Sequence, residues 1–587
     1  MQDQSAKNSY VDSLFQLRRL ETRAVTVGTV GIGGDNPVRV QSMTTTNTND
    51  IVATADQSER IVKAGGEIVR YTTQGTREAA NAGLIREELR KRGIDVPVVA
   101  DVHFLASAAL TAAPVVDAVR INPGNFLGEV KKFDEKAADM SDEEWQDKIV
   151  SHLRPLIDIC KEHKTALRLG VNHGSLSDRV MAKYGDTPQG MVASAIEYLD
   201  ALERLEFHDV VISIKSSNAR VMVETVRRLV AAMRERNITY PLHLGVTEAG
   251  SDAEGRVKSA AGIGALLADG IGDTIRVSLT EAPEAEIPVA QMLVRHFEDK
   301  GRKKTALTPC DTAAYTPFDY TRRNSTAIHA IGGSLPPVVI TRTKASKSDF
   351  YLATDGRKFQ KTDDTDSADY VCIRYQDLTD ERLAELRKDT RSILLLQTLT
   401  SNPTAEYRAA ILKLTAAGVM SPVILHYVAH FGTLTELQVK AAADLGLLFI
   451  DGLADGVYIE SDTLKDEELS DFADLLLQST RARMTRTEFI SCPGCGRTLY
   501  DIQTTVQQIK QRMGHLAGLK IGVMGCIVNG IGEMADADYG YIGAGPGRIS
   551  LYRGKELVER NIPESQAIEK LEFMIRNDGR WVEVVNK

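Results

Sequence analysis

Between Pro37 and Thr280 short apolar runs alternate with longer stretches whose apolar residues recur at i, i+3 and i+4. The short runs are Val38–Met43, Glu67–Thr73, Val96–His103, Ala118–Asn122, Ala166–Asn172, Val210–Ser216, Leu242–Glu248 and Thr274–Thr280. Stretches such as Asp50–Ala64 and Glu224–Arg236 carry helical spacing between them. Eight strand–helix units within roughly 250 residues predict a (β/α)8 TIM barrel. A doubly wound dinucleotide fold would place G-x-G-x-x-G after the first strand. Here Gly31-Ile32-Gly33-Gly34 precedes that strand and lacks the third glycine. The residues before Pro37 predict a small hairpin across the barrel floor.

Near Lys300 the pattern changes. Gly301-Arg302-Lys303-Lys304 and the polar residues up to Asn324 read as a connection. Apolar runs return at Pro337–Thr341, Ala368–Tyr375, Ser392–Thr398, Val423–Val428 and Leu447–Ile450, with helical spacing at Asp380–Lys388 and Thr404–Ala417. This predicts a second α/β segment, barrel-like and structural in role; its His426, His430 and Asp451 are not grouped by spacing. From about Thr485 a small α+β domain follows, with a helix at Leu499–Met513 and strands at Ile521–Met524, Tyr539–Ile542 and Ile549–Tyr552. Gly543-Ala544-Gly545-Pro546-Gly547 lacks the Gly-Lys-Ser/Thr of a phosphate loop and reads as a turn between strands. The expected domains are 1–300, 301–484 and 485–587.

Composition narrows the class. At 43% hydrophobic and 26% charged residues, the chain has the make-up of a globular protein. No apolar run approaches the roughly 18 residues of a membrane span. Met1-Gln2-Asp3-Gln4-Ser5 lacks the basic head and apolar run of a signal peptide. With 6 cysteines in 587 residues a reducing compartment is expected, the bacterial cytoplasm being the simplest. A net charge of −9 argues against general nucleic-acid or anionic-membrane binding.

Barrel enzymes work at the C-terminal ends of their strands. Those ends hold Arg70, Asp101 with His103, Arg120 with Asn122, Arg168 with Asn172, Lys215, Thr247 with Glu248, and Arg276 with Ser278. An apolar strand needs no cation at its end, and burying one without a partner is costly. Five such strand ends predict a pocket for a polyanion, phosphate groups above all. Ion pairing between neighbouring strands is the plainer reading of any single arginine. His103 reads as an acid, a hydrogen-bond donor or a structural group. Glu248 needs substrate or an apolar wall to act as an acid.

Half of the cysteines fall in one C-terminal window: Ser491-Cys492-Pro493-Gly494-Cys495-Gly496-Arg497, then Gly525-Cys526-Ile527-Val528-Asn529-Gly530-Ile531-Gly532-Glu533. Thiolates in two glycine-bearing turns are the usual ligands of zinc or an iron–sulfur cluster. A fourth ligand must come from elsewhere, Glu533 being the nearest carboxylate and Asp536 and Asp538 the alternatives. Cys160, Cys310 and Cys372 stand alone.

These two turns resemble the 4-hydroxy-3-methylbut-2-enyl diphosphate synthase family. So do Val40-Gln41-Ser42-Met43-Thr44, Ala100-Asp101-Val102-His103-Phe104, Arg120-Ile121-Asn122-Pro123-Gly124-Asn125 and His243-Leu244-Gly245-Val246-Thr247-Glu248-Ala249-Gly250. The likeness covers about 20–300 and 485–560, and the middle segment resembles the insert of the family's three-domain form. One departure is Ile531 in place of proline. The resemblance implies a [4Fe-4S] cluster on Cys492, Cys495, Cys526 and Glu533, in a domain similar to those of sulfite and nitrite reductases. It implies reductive ring opening of 2-C-methyl-D-erythritol 2,4-cyclodiphosphate in isoprenoid biosynthesis, with ferredoxin or flavodoxin as donor and a homodimer as the assembly. Arg70, Arg120, Arg168, Lys215, Arg276 and Ser278 would then hold the diphosphate, helped by Asn122, Asn172, Thr247 and Asn529. Asp101, His103 and Glu248 would orient substrate or supply protons. The competing classes are a non-redox barrel transferase or aldolase with a structural zinc, and a binding protein without chemistry.

Overall fold

The computed structural model describes residues 10–583 apart from 128–139, 251, 302–306, 308–311, 313–314, 355, 493, 528–530, 533 and 535. The chain forms two compact units. One comprises Glu21–Gly255, Gly272–Gln291 and Arg486–Lys587; the other comprises Met1–Leu20, Arg256–Ile271 and Met292–Thr485.

The first unit opens with a hairpin of β1 (Val25–Val27) and β2 (Val30–Ile32). A closed parallel barrel follows: β3 (Arg39–Met43), β4 (Ile68–Thr73), β5 (Val98–Val102), β6 (Ala118–Ile121), β7 (Ala166–Asn172), β8 (Val210–Ser216), β9 (Leu242–Val246) and β10 (Thr274–Ile275), with β10 pairing with β3. Val25, Val27 and Ile32 pack on Ile68, Val99, Ala118, Ala166 and Val211, near the strand starts, so the hairpin plugs the floor. Gly33 follows it at φ +77°, and a Cβ there would strike the Arg23 carbonyl. Asp273 ties the floor together: its carboxylate accepts from Thr22 Oγ1 and from Leu242 N, both at 2.9 Å.

The eighth strand is shorter than Thr274–Thr280. Pairing ends at Ile275; beyond it the Arg276 side chain and the Leu279 amide bond Glu286, on the helix Pro283–Gly301.

Also in the first unit, β18 (Glu488–Ser491), β19 (Lys520–Met524), β20 (Tyr539–Gly545), β21 (Arg548–Arg553) and β22 (Glu556–Pro563) form one sheet in that order. β18, β19 and β20 run parallel, and the remaining pairs are antiparallel. Helices Ile502–Met513 and Glu564–Asn577 complete its core through Val506, Ile509, Met513, Leu571 and Ile575. The cysteine turns leave the ends of the adjacent strands β18 and β19, where Ser491 pairs with Val523. Ser491 also bridges to Ala249 beyond β9, which holds this sheet to the barrel mouth.

The second unit is a closed barrel too: β11 (Val338–Thr341), β12 (Phe350–Leu352), β13 (Lys358–Lys361), β14 (Ser367–Arg374), β15 (Ile393–Gln397), β16 (Val423–Val428) and β17 (Gly456–Glu460). The apolar run Leu447–Ile450 is not a strand. It ends the wholly buried helix Ala442–Ile450, and the strand comes after it as β17. Four apolar residues carry no period that separates the two structures. The hairpin β12–β13 escapes the pattern because each strand buries one residue, Phe350 or Phe359.

In this unit Arg408 Nη1 bonds Asp269 Oδ1 at 2.6 Å, both side chains buried. Replacing Arg408 by Ala removes the counter-ion of Asp269, which keeps the Tyr10 hydroxyl at 3.2 Å, and should cost about 3–5 kcal/mol. That would appear as a lower urea midpoint, with most of the loss recovered in Arg408→Met/Asp269→Leu. An unchanged midpoint in the single variant would contradict it.

Candidate active site

The strand ends line one pocket at the barrel mouth. Arg70, Asp101, Arg120, Asn172, Lys215, Thr247, Glu248, Arg276 and Ser278 line one side. Cys492, Cys495 and Cys526 line the other, with Arg497 and Thr498 beside them. Both sides belong to a single chain.

Asp101 is the hub. Its carboxylate lies 3.2 Å from Arg120 Nη1 and 3.7 Å from Arg70 Nε, with all three groups buried. Arg120 also reaches His103 Nδ1 at 2.7 Å, Asn172 Oδ1 at 2.7 Å and the Gly170 carbonyl at 3.0 Å. A Cβ on Gly170 would collide with this guanidinium. Because arginine only donates, His103 Nδ1 accepts, and its proton sits on Nε2. Arg70 turns Nε and Nη2 toward the Met43 sulfur, at 3.2 and 3.1 Å, a weak acceptor. Arg276 has its own counter-ion, a two-pronged pair with buried Glu286, both contacts 2.9 Å. Glu248 is buried in the left-handed region at φ +50°, a conformation kept at functional sites against its cost.

Burial and like charge set the protonation states. Burial opposes the Asp101 carboxylate, yet Arg70, Arg120, Lys215 and Arg497 hold it well below the ordinary range. Burial, then Arg120 and Arg497, press His103 far down, so its imidazole is neutral. Burial, then Arg70 and Arg120, press Lys215 down as well. Burial brings Arg70 to about 10 despite Asp101. Arg497 goes the other way: burial works against it, but Cys495, Asp101 and Cys526 raise it.

Three of the expected residues stand off the cavity wall. His103 sits behind Arg120. Asn122 Oδ1 caps the short helix Pro123–Phe126 by accepting from Gly124 N at 3.1 Å. Arg168 lies a layer deeper, on Gln41 Oε1 at 2.8 Å, and Gln41 in turn bonds His243 and Thr274. Asn529 and Glu533 lie outside the described residues. Sequence reasoning missed Arg497 and Glu286. Arg497 directly follows Cys495-Gly496 and could have been found there; Glu286 is on a helix with no motif to mark it.

The thiol side is built from backbone. Gly525 N donates to Cys492 Sγ at 3.3 Å, and Thr498 Oγ1 accepts from Cys495 N at 2.9 Å. Among the described residues no three His, Cys, Asp or Glu side chains gather for one metal ion. Cys492, Cys495 and Cys526 share the cavity wall.

Two family profiles match the chain, one described as the GcpE TIM-barrel domain over residues 22–291 and one as the GcpE protein C-terminal domain over 488–577. A 4-hydroxy-3-methylbut-2-en-1-yl diphosphate synthase (flavodoxin) of Parabacteroides distasonis is 45% identical, with 97% of this chain and 99% of that protein covered. The chain belongs to the GcpE family. A synthase of the same name from Porphyromonas gingivalis is 44% identical over 97% of this chain and 99% of its own. Another from Chlorobaculum tepidum is 37% identical over 98% and 91%. The two GcpE profiles leave 292–487 unmatched while these relatives span it, so the second barrel is shared with them.

A polyanion in this GcpE mouth would relieve the like-charge pressure on Lys215 and raise its proton affinity. Pyrophosphate binding should therefore take up protons and weaken as pH rises. Calorimetry in buffers of differing ionisation heat checks this, with Lys215→Met removing the uptake. Equal heats in every buffer would contradict it.

Proposed function

We propose that this chain opens and dehydrates the ring of 2-C-methyl-D-erythritol 2,4-cyclodiphosphate, giving 4-hydroxy-3-methylbut-2-enyl diphosphate. Two C–O bonds break, one to the ring phosphate oxygen and one to the hydroxyl that leaves as water, while two electrons and two protons enter. The observation that carries the reading is a set of buried donors without acceptors. Among the described residues Arg70 Nη1, Arg497 Nε, His103 Nε2 and Asn122 Nδ2 have no hydrogen-bond partner, and the first two belong to residues of the cavity wall. Buried donors are rarely left unmatched, and a diphosphate is rich in acceptors.

Arg70, Arg120, Lys215 and Ser278 would grip the phosphates, with Asn172 and Thr247 hydrogen bonding beside them. Arg276, already paired with Glu286, contributes less charge than its place at the strand end suggests. Arg168 and Asn122 then support the wall more than they touch substrate. Asp101, held ionised, orients Arg70 and Arg120. Neutral His103 offers a fixed Nε2–H donor and not an imidazolium acid. Proton delivery falls to Glu248, the other carboxylate on the wall.

Three cysteines lining one cavity suit a multi-iron cluster, and Arg497 with the Gly525 amide supplies donors toward them. The group is a [4Fe-4S] cluster held by Cys492, Cys495 and Cys526, with Glu533 as the fourth ligand carried over from the family resemblance. When bound, such a cluster supplies electrons singly and a Lewis-acidic iron. Reduced flavodoxin, named in the relatives, is the donor of choice. The expected homodimer finds no support, since one chain lines both sides of the cavity. No described helix is long and apolar enough to cross a membrane, and a cytoplasmic address goes with the free thiols. The zinc-bearing transferase and the inert binding protein are not favoured by membership of this family.

Anaerobic purification followed by iron and sulfide analysis tests the reading, with about four of each per chain expected. Cys526→Ser should lose iron and turnover together, whereas exposed Cys372→Ser should keep both. Full iron and turnover in Cys526→Ser would overturn the ligand assignment.

A further inference from the structure

The second barrel repeats the construction of the first. In the first, Gly34 N donates to Thr22 Oγ1 at 3.3 Å, and Asp273 accepts from Thr22 Oγ1 and Leu242 N. In the second, Gly333 N donates to Ser325 Oγ at 2.9 Å, and Asp455 accepts from Ser325 Oγ at 2.9 Å and Val423 N at 3.0 Å. Ile32-Gly33-Gly34 and Ile331-Gly332-Gly333 both take positive φ at their glycines. The Asp273 and Asp455 carbonyls accept from Arg39 N and Val338 N, both at 3.0 Å. These bonds align β11 with β3, β16 with β9 and β17 with β10. Arg342 then stands where Met43 does, His426 where Gly245 does, and Glu460 where Ser278 does. Met43 and Ser278 line the first cavity.

The mouth of the second barrel has its own chemistry. Arg374, Gln397, His426 and Tyr458 are in register across β14, β15, β16 and β17. Beneath this row lies the apolar interior of Ile340, Leu395 and Ile424, which Tyr458 joins. Tyr370 packs on that interior, and Arg374, four residues on, shares its face. His426 Nδ1 lies 3.0 Å from Gln397 Nε2 and its Nε2 lies 3.0 Å from Glu460 Oε2, with the ring stacked on Tyr458 at 4.7 Å. Arg342 is near enough to act on Tyr458. Arg374 Nε is buried without an acceptor, and neither Arg342 nor Arg374 has a carboxylate partner among the described residues. Two guanidinium groups at a barrel mouth match a dianion; of the carboxylates nearby, Glu460 is engaged by His426, Asp466 accepts from Thr343 N at 2.8 Å and Asp377 accepts from Arg374 N at 2.9 Å.

We propose that the mouth of the second barrel is a second anion site, which takes the phosphate group of a small phosphorylated metabolite between Arg342 and Arg374, beside the His426–Glu460 pair. It is separate from the cyclodiphosphate site and does not rest on the reaction proposed above.

Calorimetric titration of the full-length protein with inorganic phosphate tests it, in an Arg120→Ala/Lys215→Ala background that disables the first mouth. One phosphate per chain should still bind, and adding Arg374→Ala should weaken it at least about tenfold. Arg342 is exposed and lies past its strand end, so Arg342→Ala gives a second reading where Arg374→Ala disturbs the fold. No saturable phosphate binding in the background, or binding that survives both arginine changes, would overturn the proposal.

Discussion

One buried carboxylate, Asp101, stands among more positive charge than it can neutralise. Arg70 and Arg120 lean on it directly, and Lys215 and Arg497 act on it from further off. Burying unmatched charge is costly, and only a scaffold that is stable elsewhere can hold it. The closed barrel, plugged at its floor by β1 and β2, is that scaffold. The excess charge in turn fixes the states around it, with His103 neutral, Asp101 ionised and Lys215 pressed toward its neutral form. A site so arranged is stabilised by an anionic ligand and strained without one.

Arg497 joins the two halves of the site. It comes from the cysteine turn, yet Asp101 of the barrel is among the charges that keep it protonated. Gly496 lies so close to the Thr46 carbonyl, 2.6 Å from where a Cβ would stand, that only glycine fits between turn and barrel. Gln503 Nε2 donates to the Thr280 carbonyl at 2.5 Å, and Lys510 pairs with Glu254 at 2.5 Å. Thiols and strand-end cations thus face one cavity through contacts within a single chain.

The barrel and its mouth were legible because one rule turns sequence into position: side chains at the strand ends face the active side. Arg70, Asp101, Arg120, Lys215 and Arg276 could be placed that way before any coordinates. What the rule cannot see is depth and partnership. Arg168 ends in a lower layer on Gln41, Asn122 spends its oxygen on a helix cap, and Arg276 is neutralised by Glu286 from a helix. The second barrel was harder to read because its strands are less regular. Leu447–Ile450 has the composition of a strand but too few residues to show a period, and the row from Arg374 to Tyr458 comes together only through register.

The most direct test is a turnover experiment on iron-loaded protein with reduced flavodoxin and 2-C-methyl-D-erythritol 2,4-cyclodiphosphate, followed by phosphorus NMR. The account predicts that the two cyclic phosphate signals give way to those of a linear diphosphate ester, with two electrons consumed per ring opened. Protein that holds its cluster, accepts electrons and binds the cyclodiphosphate, yet leaves the ring intact, would contradict it.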